Sequence, residues 1–251
     1  LAERGVTVAV ILNGVDQGIN CGLSSAILTG AGSVFIYYEI LPSRSTDETY
    51  VGLGMRSDST RAVEIVGIAS GELYQVISQS GGLLSSQAIA ADTKDGAVHR
   101  QFVAWSQESG RRFCYSDGLF ESNSSFTVTT VDNPASGLTT LGYRPWTGDN
   151  RWFQGQLANV AIWTGAHFGD ATAETNAAIA LTAGTATVKD FSDFDAYWPL
   201  DYDARDLGPN GLDGTLVGTP TFTETAPRWY KGDGTAMRPY LKTSGGIVPL
   251  E

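Results

Sequence analysis

The chain has 251 residues, 42% of them hydrophobic, and carries 27 acidic against 16 basic residues for a formal net charge of −11. That balance excludes a general nucleic-acid binder, which needs a basic footprint to displace phosphate counterions, and it excludes docking on anionic membranes. It suits a soluble protein able to tolerate a cation, with apolar content enough for the core of one large all-β domain or two small ones.

Strand-like segments dominate the chain from its start. "VTVAVIL" (Val6–Leu12) and "SVFIYYEIL" (Ser33–Leu41) are β-branched and aromatic, and "RAVEIVGIAS" (Arg61–Ser70) and "ELYQVIS" (Glu72–Ser78) follow. Next come Arg100–Gln107, Arg111–Gly118, Ser125–Val131, Gly137–Tyr143 and Gln156–Trp163, and then Asp195–Asp201 and Gly214–Thr223 close the set. Gly, Asp, Asn and Ser punctuate these runs at short intervals. Many short strands between turn signals predict an all-β, two-sheet antiparallel sandwich. Several runs are apolar on both parities, so some strands are expected to be covered on both faces, partly by loops.

Two segments depart from the pattern. In "DNRWFQGQLANVAIWTG", Leu157 falls on an odd position while Val160 and Ile162 are even, so the three cannot share one face of a regular strand. "GDATAETNAAIALTAG" is Ala-rich, with Asp170 placed as an N-cap, Glu174 in the first turn and Gly184 as C′. It predicts one short connecting helix at about 171–182.

The 30 Gly and 9 Pro are spread out, so no long linker is visible. Residues 1–225 read as the sandwich. Residues 226–251, with weak periodicity, read as a last short strand and an extended C-terminal arm in which Trp229, Tyr230, Tyr240 and Ile247 could anchor a neighbouring subunit. No run is apolar for the roughly 20 residues of a membrane span, so membrane insertion is not expected, and no signal peptide is read in the chain given. Cys21 and Cys114 lie far apart, outside any CxxC pattern, and read as buried thiols with a disulfide as the alternative. Nothing is spaced as a structural zinc site.

Four motifs occur in a telling order. They are "GINCGLSSAILTGAGSVFIYYEILPS", "VHRQFVAWSQESGRRFCYSDGLF" with its Tyr115-Ser116-Asp117-Gly118 turn, "LGYRPWTGDNRWFQGQLANVAIW", and "YWPLDYDARDLGPNGLDG". Together, over roughly Gly18 to Thr223, they resemble laminin-G-like jelly-roll domains of the concanavalin A-like lectin/glucanase superfamily, of the phage or bacterial surface type. The resemblance implies a jelly-roll sandwich in which the element near Trp198 returns beside the first strands. It also implies that the parity mismatch is a bulge near Ala158–Asn159, or burial on both faces. The chain departs from the family at Leu207-Gly208-Pro209 and lacks the C-terminal disulfide of many secreted members.

Glycosidases of this superfamily carry an E-x-D-x-x-E strand, whose carboxylates lie about 5 Å apart across the cleft. No such run occurs; Glu39, Glu64, Glu72, Glu108, Glu121 and Glu174 are isolated, and no G-x-S-x-G motif occurs. A catalytic residue is therefore not assigned, with an unrecognised carboxylate pair as the alternative. Asp201, Asp203, Asp206, Asn210 and Asp213 offer hard oxygen donors at loop spacing, which suits Ca²⁺, though turn capping explains them equally. Tyr143, Arg144, Trp146, Asp149, Asn150 and Trp152 form a loop with aromatic faces and planar hydrogen-bonding groups, suited to a glycan or to a protein partner, or else folding over the sandwich edge with Trp152 covering Phe153. The expectation is a non-catalytic recognition or assembly module, with no required cofactor and calcium as an option. It either binds glycan or decorates a virus or phage particle or other surface assembly, as a homo-oligomer on a virion or extracellular surface. Trp105, Trp163, Trp198 and Trp229 read as packing residues.

Overall fold

The structure is a computed structural model that describes residues 9–23, 33–42, 50–56, 62–67, 73–79, 82–90, 97–106, 109–125, 137–144, 151–191 and 193–223, with four short strands beyond them. Two antiparallel sheets form a sandwich. The 8-stranded sheet holds β1 (Val10–Asn13), β3 (Val34–Pro42), β8 (His99–Ser106), β9 (Arg111–Ser116), β10 (Leu119–Ser125), β12 (Gln154–Thr164), β13 (Ala196–Trp198) and β15 (Thr221–Phe222). The 7-stranded sheet holds β2 (Gly18–Leu23), β4 (Tyr50–Arg56), β5 (Ala62–Gly67), β6 (Leu73–Gln79), β7 (Gly82–Ala90), β11 (Leu138–Leu141) and β14 (Thr215–Val217). The end of the sandwich returns to its start, as the jelly-roll resemblance implies: β14 pairs with β2 and β15 with β1.

Strand parity explains how the larger sheet is buried. On β3, Val34, Ile36, Tyr38 and Ile40 enter the core between the sheets, facing Ile19, Leu53, Ile65 and Leu141. Phe35 and Tyr37 point the other way, into a second core with Phe102, Phe113, Trp163 and the helix residues Ala178 and Leu181. The apolar double parity of this strand is therefore burial on both faces, and the outer cover is α1 (Ala171–Thr182) with Phe168, Phe191 and Phe194. The helix falls where its sequence places it. The Asp170 carboxylate accepts from the amides of Thr172 and Ala173, satisfying orphan donors of the first turn. At the other end Gly184 adopts φ 69°, its amide donating to Leu181 O and that of Thr185 to Ala180 O, the Schellman pattern that only a residue tolerant of left-handed backbone closes cheaply. Glu174, fully buried, ties the helix to the sheet by accepting from Ser106 Oγ.

The parity mismatch on β12 is a bulge. Ala158 lies opposite Glu39 and Ala161 opposite Tyr37, so Asn159 and Val160 share the space opposite Tyr38. Asn159 takes φ 49°, a conformation Asn tolerates better than other side-chain-bearing residues. The extra residue resets the phase, and Leu157, Val160 and Ile162 all reach the inter-sheet core. The bulge is also where the strand changes partner, from β1 at Leu157 to β13 at Val160.

Trp105, Trp163 and Trp198 are fully buried, as read from their strand contexts. Cys21 and Cys114 are buried free thiols of the same core. The strand expected at Ser125–Val131 lies outside the described residues beyond Ser125, which ends β10. Residues read as an extended arm include two short ribbons, β16 (Trp229–Tyr230) with β17 (Ala236–Met237), and β18 (Tyr240–Thr243) with β19 (Gly246–Pro249).

Candidate functional site

On the outer face of the larger sheet, the aromatic cover under α1 stops at Tyr37 and a polar cleft begins. Its floor comes from four strands: Tyr37 and Glu39 of β3, Arg100 of β8, Asn159 at the bulge of β12, and Tyr197 of β13. One wall is the turn that follows α1, from Gly184 to Lys189. The other is the loop after β13, with Asp201, Tyr202, Asp203, Arg205 and Leu207. Two cavities of about 390 and 290 Å³ make up the cleft and share Glu39, Asn159, Lys189 and Tyr197.

Hydrogen bonds fix the floor. Tyr37 OH donates to Glu39 Oε1 at 2.9 Å and Arg100 Nε donates to the same oxygen at 3.1 Å. Glu39 is only 7% exposed, and its Oε2 is buried without a hydrogen-bond partner. Tyr197 OH donates to Asn159 Oδ1 at 2.9 Å, and the backbone N–H of Asn159 donates to Pro199 O. Burial, then the Asp201 and Glu39 charges, push the Tyr197 phenol well above its ordinary value. Burial and Glu39 do the same to Tyr37, so both remain hydrogen-bond donors. Tyr202, in contrast, is 37% exposed and lines the cleft at its rim.

The wall after β13 is built by local chemistry. Leu200 takes φ 59° while fully buried in the inter-sheet core. Burial of that side chain offsets the ~1–2 kcal/mol cost of a left-handed residue and swings the following loop over the cleft. Asp206 then holds the loop closed. Its Oδ1 accepts from the amides of Tyr197 at 2.8 Å and Gly208 at 2.7 Å, and its Oδ2 from Leu212 at 2.8 Å.

These contacts match the turn-capping alternative for the acidic loop. Asp206 spends its oxygens on backbone amides, Asp213 accepts from the Asp206 amide, Asn210 donates to Asp195 O, and Asp203 pairs with Arg205 at 2.7 Å. Among the described residues no three His, Cys, Asp or Glu side chains gather as metal donors. Asp201 and Asp203 line the cleft instead.

The aromatic loop lies elsewhere. Tyr143 and Trp152 bridge as an isolated antiparallel pair, with rings stacked 4.9 Å apart and 17° from parallel. Tyr143 is 9% exposed and packs over Gly18, where any Cβ would strike its ring. Arg144 is buried to the same degree. Tyr143 and Trp152 thus pack against each other at the sandwich edge, and Trp146, Asp149 and Asn150, which complete the loop, fall outside the described residues. Glu39, Asn159, Tyr197 and Tyr202 were not singled out by sequence as binding residues. The one signal pointing to any of them was the parity break at Asn159, which reads as scaffold until the bulge is seen to turn its side chain toward the cleft.

Both histidines lie beside carboxylates, His167 with Nε2 3.6 Å from Asp195 Oδ2. His99 Nδ1 lies 2.7 Å from Asp117 Oδ2, and Asp117 Oδ1 accepts from the Arg100 amide. Asp117 and Gly118, both at positive φ, make the two-residue turn between β9 and β10. Burial works to raise the Asp117 carboxyl, but the His99 bond, the Arg100 amide and both charges outweigh it and hold it below the usual range.

No family model and no curated protein matches the sequence. Among solved structures, a candidate carbohydrate binding protein from Bacteroides ovatus superposes with a TM-score of 0.62 at 14% identity over 87% of this chain, which spans 60% of that protein. The CBM40 of Ruminococcus gnavus IT-sialidase bound to α2,3-sialyllactose matches at TM-score 0.49 and 12% identity, over 71% of this chain and 100% of that one. Domains LG4-5 of the mouse laminin α1 chain match at TM-score 0.43 and 16% identity, over 62% of this chain and 40% of that one. With its two antiparallel sheets and the return of its last strands to its first, the chain has the concanavalin A-like lectin/glucanase jelly-roll fold.

Proposed function

We propose that this chain is a non-catalytic carbohydrate-binding module whose ligand lies in the outer-face cleft. The observation that carries the reading is the make-up of that cleft: the half-exposed Tyr202 ring beside the planar polar groups of Asn159, Glu39 and Asp201. A pyranose offers a C–H face for such a ring and a girdle of hydroxyls for such groups, and binding sites of this kind are concave with a few placed polar atoms. The fold shared with the Bacteroides ovatus protein supports the reading.

The test is a glycan array probed with the wild type and with Tyr202→Ala. Tyr202 sits at the rim, so its removal leaves the core intact. Binding of at least one glycan, weakened about tenfold or more in the variant, is expected from the loss of an aromatic stacking contact, and the bound glycan is recovered uncleaved. An array with no signal, or hydrolysis of the bound glycan, refutes the reading. The alternative role, as a decoration or attachment protein, draws on the acidic charge, the scarce cysteine and the arm read at residues 226–251, and no observation on the cleft adds to it.

A further inference from the structure

The charge and hydrogen-bonding state of the cleft narrow the ligand further, on the premise that it binds glycan. Among the described residues, Glu39, Asp201 and Asp203 are matched by Arg100, Lys189 and Arg205, so the lining carries no net charge. Two of the three cations are already engaged, Arg100 by Glu39 at 3.1 Å and Arg205 by Asp203 at 2.7 Å. An anionic sugar entering this cleft would have to compete with Glu39 and Asp203 for those two guanidinium groups, and the chain around it has a net charge of −11.

What the floor lacks is a donor. Glu39 has its side chain only 9% exposed, and Tyr37 and Arg100 both donate to Oε1 while Oε2 has no partner. A buried carboxylate oxygen left without a donor is costly, and such groups call for a partner that arrives from outside. Beside it the Tyr197 phenol occupies Asn159 Oδ1, which leaves the Asn159 Nδ2 hydrogens to meet an acceptor. A sugar hydroxyl is both donor and acceptor, and adjacent hydroxyls on one ring satisfy both requirements.

We infer that the cleft is selective for neutral sugars, reading a pair of adjacent hydroxyls through Glu39 Oε2 and Asn159 Nδ2 and rejecting sialylated or uronic-acid-bearing ones. The structure assigns Glu39 the acceptor role, with Tyr37 and Arg100 as positioning residues that hold it in place.

The experiment compares neutral oligosaccharides with counterparts that add one carboxylate, lactose against 3′-sialyllactose and xylo-oligosaccharides against their glucuronic-acid-substituted forms. It uses isothermal titration and an array carrying both series. The expected result is binding confined to neutral members, with an affinity that changes less than about twofold between roughly 20 mM and 0.5 M sodium chloride because no net charge is neutralised. Glu39→Gln preserves shape but places an NH₂ donor against the sugar hydroxyl. A folded variant is expected to bind about tenfold or more weakly, and its melting curve reports whether it is folded. Binding that requires the acidic sugar or fades with salt overturns the inference while leaving the glycan-binding reading intact, as does full binding by folded Glu39→Gln. Absence of binding to every glycan overturns both. The salt and sugar-pair comparisons use the wild type, so the inference stays refutable even if Glu39→Gln does not fold.

Discussion

Replacing Asp206 by Ala removes the acceptor of three backbone amides at once, those of Tyr197, Gly208 and Leu212. Hydrogen bonds to a charged group are worth ~1.5–3 kcal/mol each. The Tyr197 amide lies in the buried β13 strand, where water cannot replace the lost oxygen, whereas Gly208 and Leu212 are half-buried and recover part of theirs from solvent. The net cost is ~3–5 kcal/mol, and at ~2–4 °C per kcal/mol for a domain of this size the melting temperature falls by about 10 °C. Asp206→Asn keeps one oxygen for Tyr197 and Gly208 but sets an NH₂ against the Leu212 amide, so it loses ~1–3 kcal/mol. Urea unfolding followed by Trp fluorescence measures both, since Trp198 donates to Leu212 O within the same loop. Chelator added to the wild type leaves the midpoint unchanged. A loss below ~1 kcal/mol for Asp206→Ala, or a wild-type midpoint that falls with chelator, refutes the reading of this loop as a carboxylate–amide clasp.

Two further outcomes follow from buried or paired ionisable groups. Burial raises the thiols of Cys21 and Cys114, aided by Asp206 and Glu121 respectively. Neither reacts with a thiol reagent in the native protein at mildly alkaline pH, and both react after unfolding; rapid native labelling contradicts their place in the core. Asp117 has its carboxyl lowered in the fold, so its contribution is present above the ordinary carboxylate range and is lost as pH falls through the lowered value. Because its side chain is 42% exposed, the effect is small. Asp117→Asn is less stable than wild type near neutrality, and the two converge in acid; a gap that widens in acid contradicts the pairing with His99.

Local signals carried most of the architecture. Asp170, the Ala-rich run and Gly184 define the helix by capping chemistry that acts over a few residues, and the parity of Leu157 against Val160 marks the bulge. The strands that escaped notice lack such signals. β2 is "GINCGL", β4 is "YVGLGMR", β7 is "GLLSSQAIA" and β10 is "LFESNSS", segments whose glycine or serine content reads as turn and whose strand state comes from pairing with their neighbours in the sheet. The cleft was illegible for the same reason. Glu39, Arg100, Asn159 and Tyr197 come from four separated strands, and only sheet order brings them together. Tyr143 and Trp152, which did attract notice, stack on each other, the edge-packing arrangement that the sequence offered beside a binding loop. The Asp-rich loop left capping and calcium open in the sequence because both use the same side chains.

The most direct test of the cleft is a titration of isotope-labelled protein with the best array glycan, followed by amide and aromatic NMR shifts. The account predicts that the largest changes fall on the Asn159 side-chain amide, on Tyr197 and Tyr202, and on the turn at Thr187–Lys189. Changes centred on Tyr143 and Trp152, with the Asn159 amide unmoved, would contradict it.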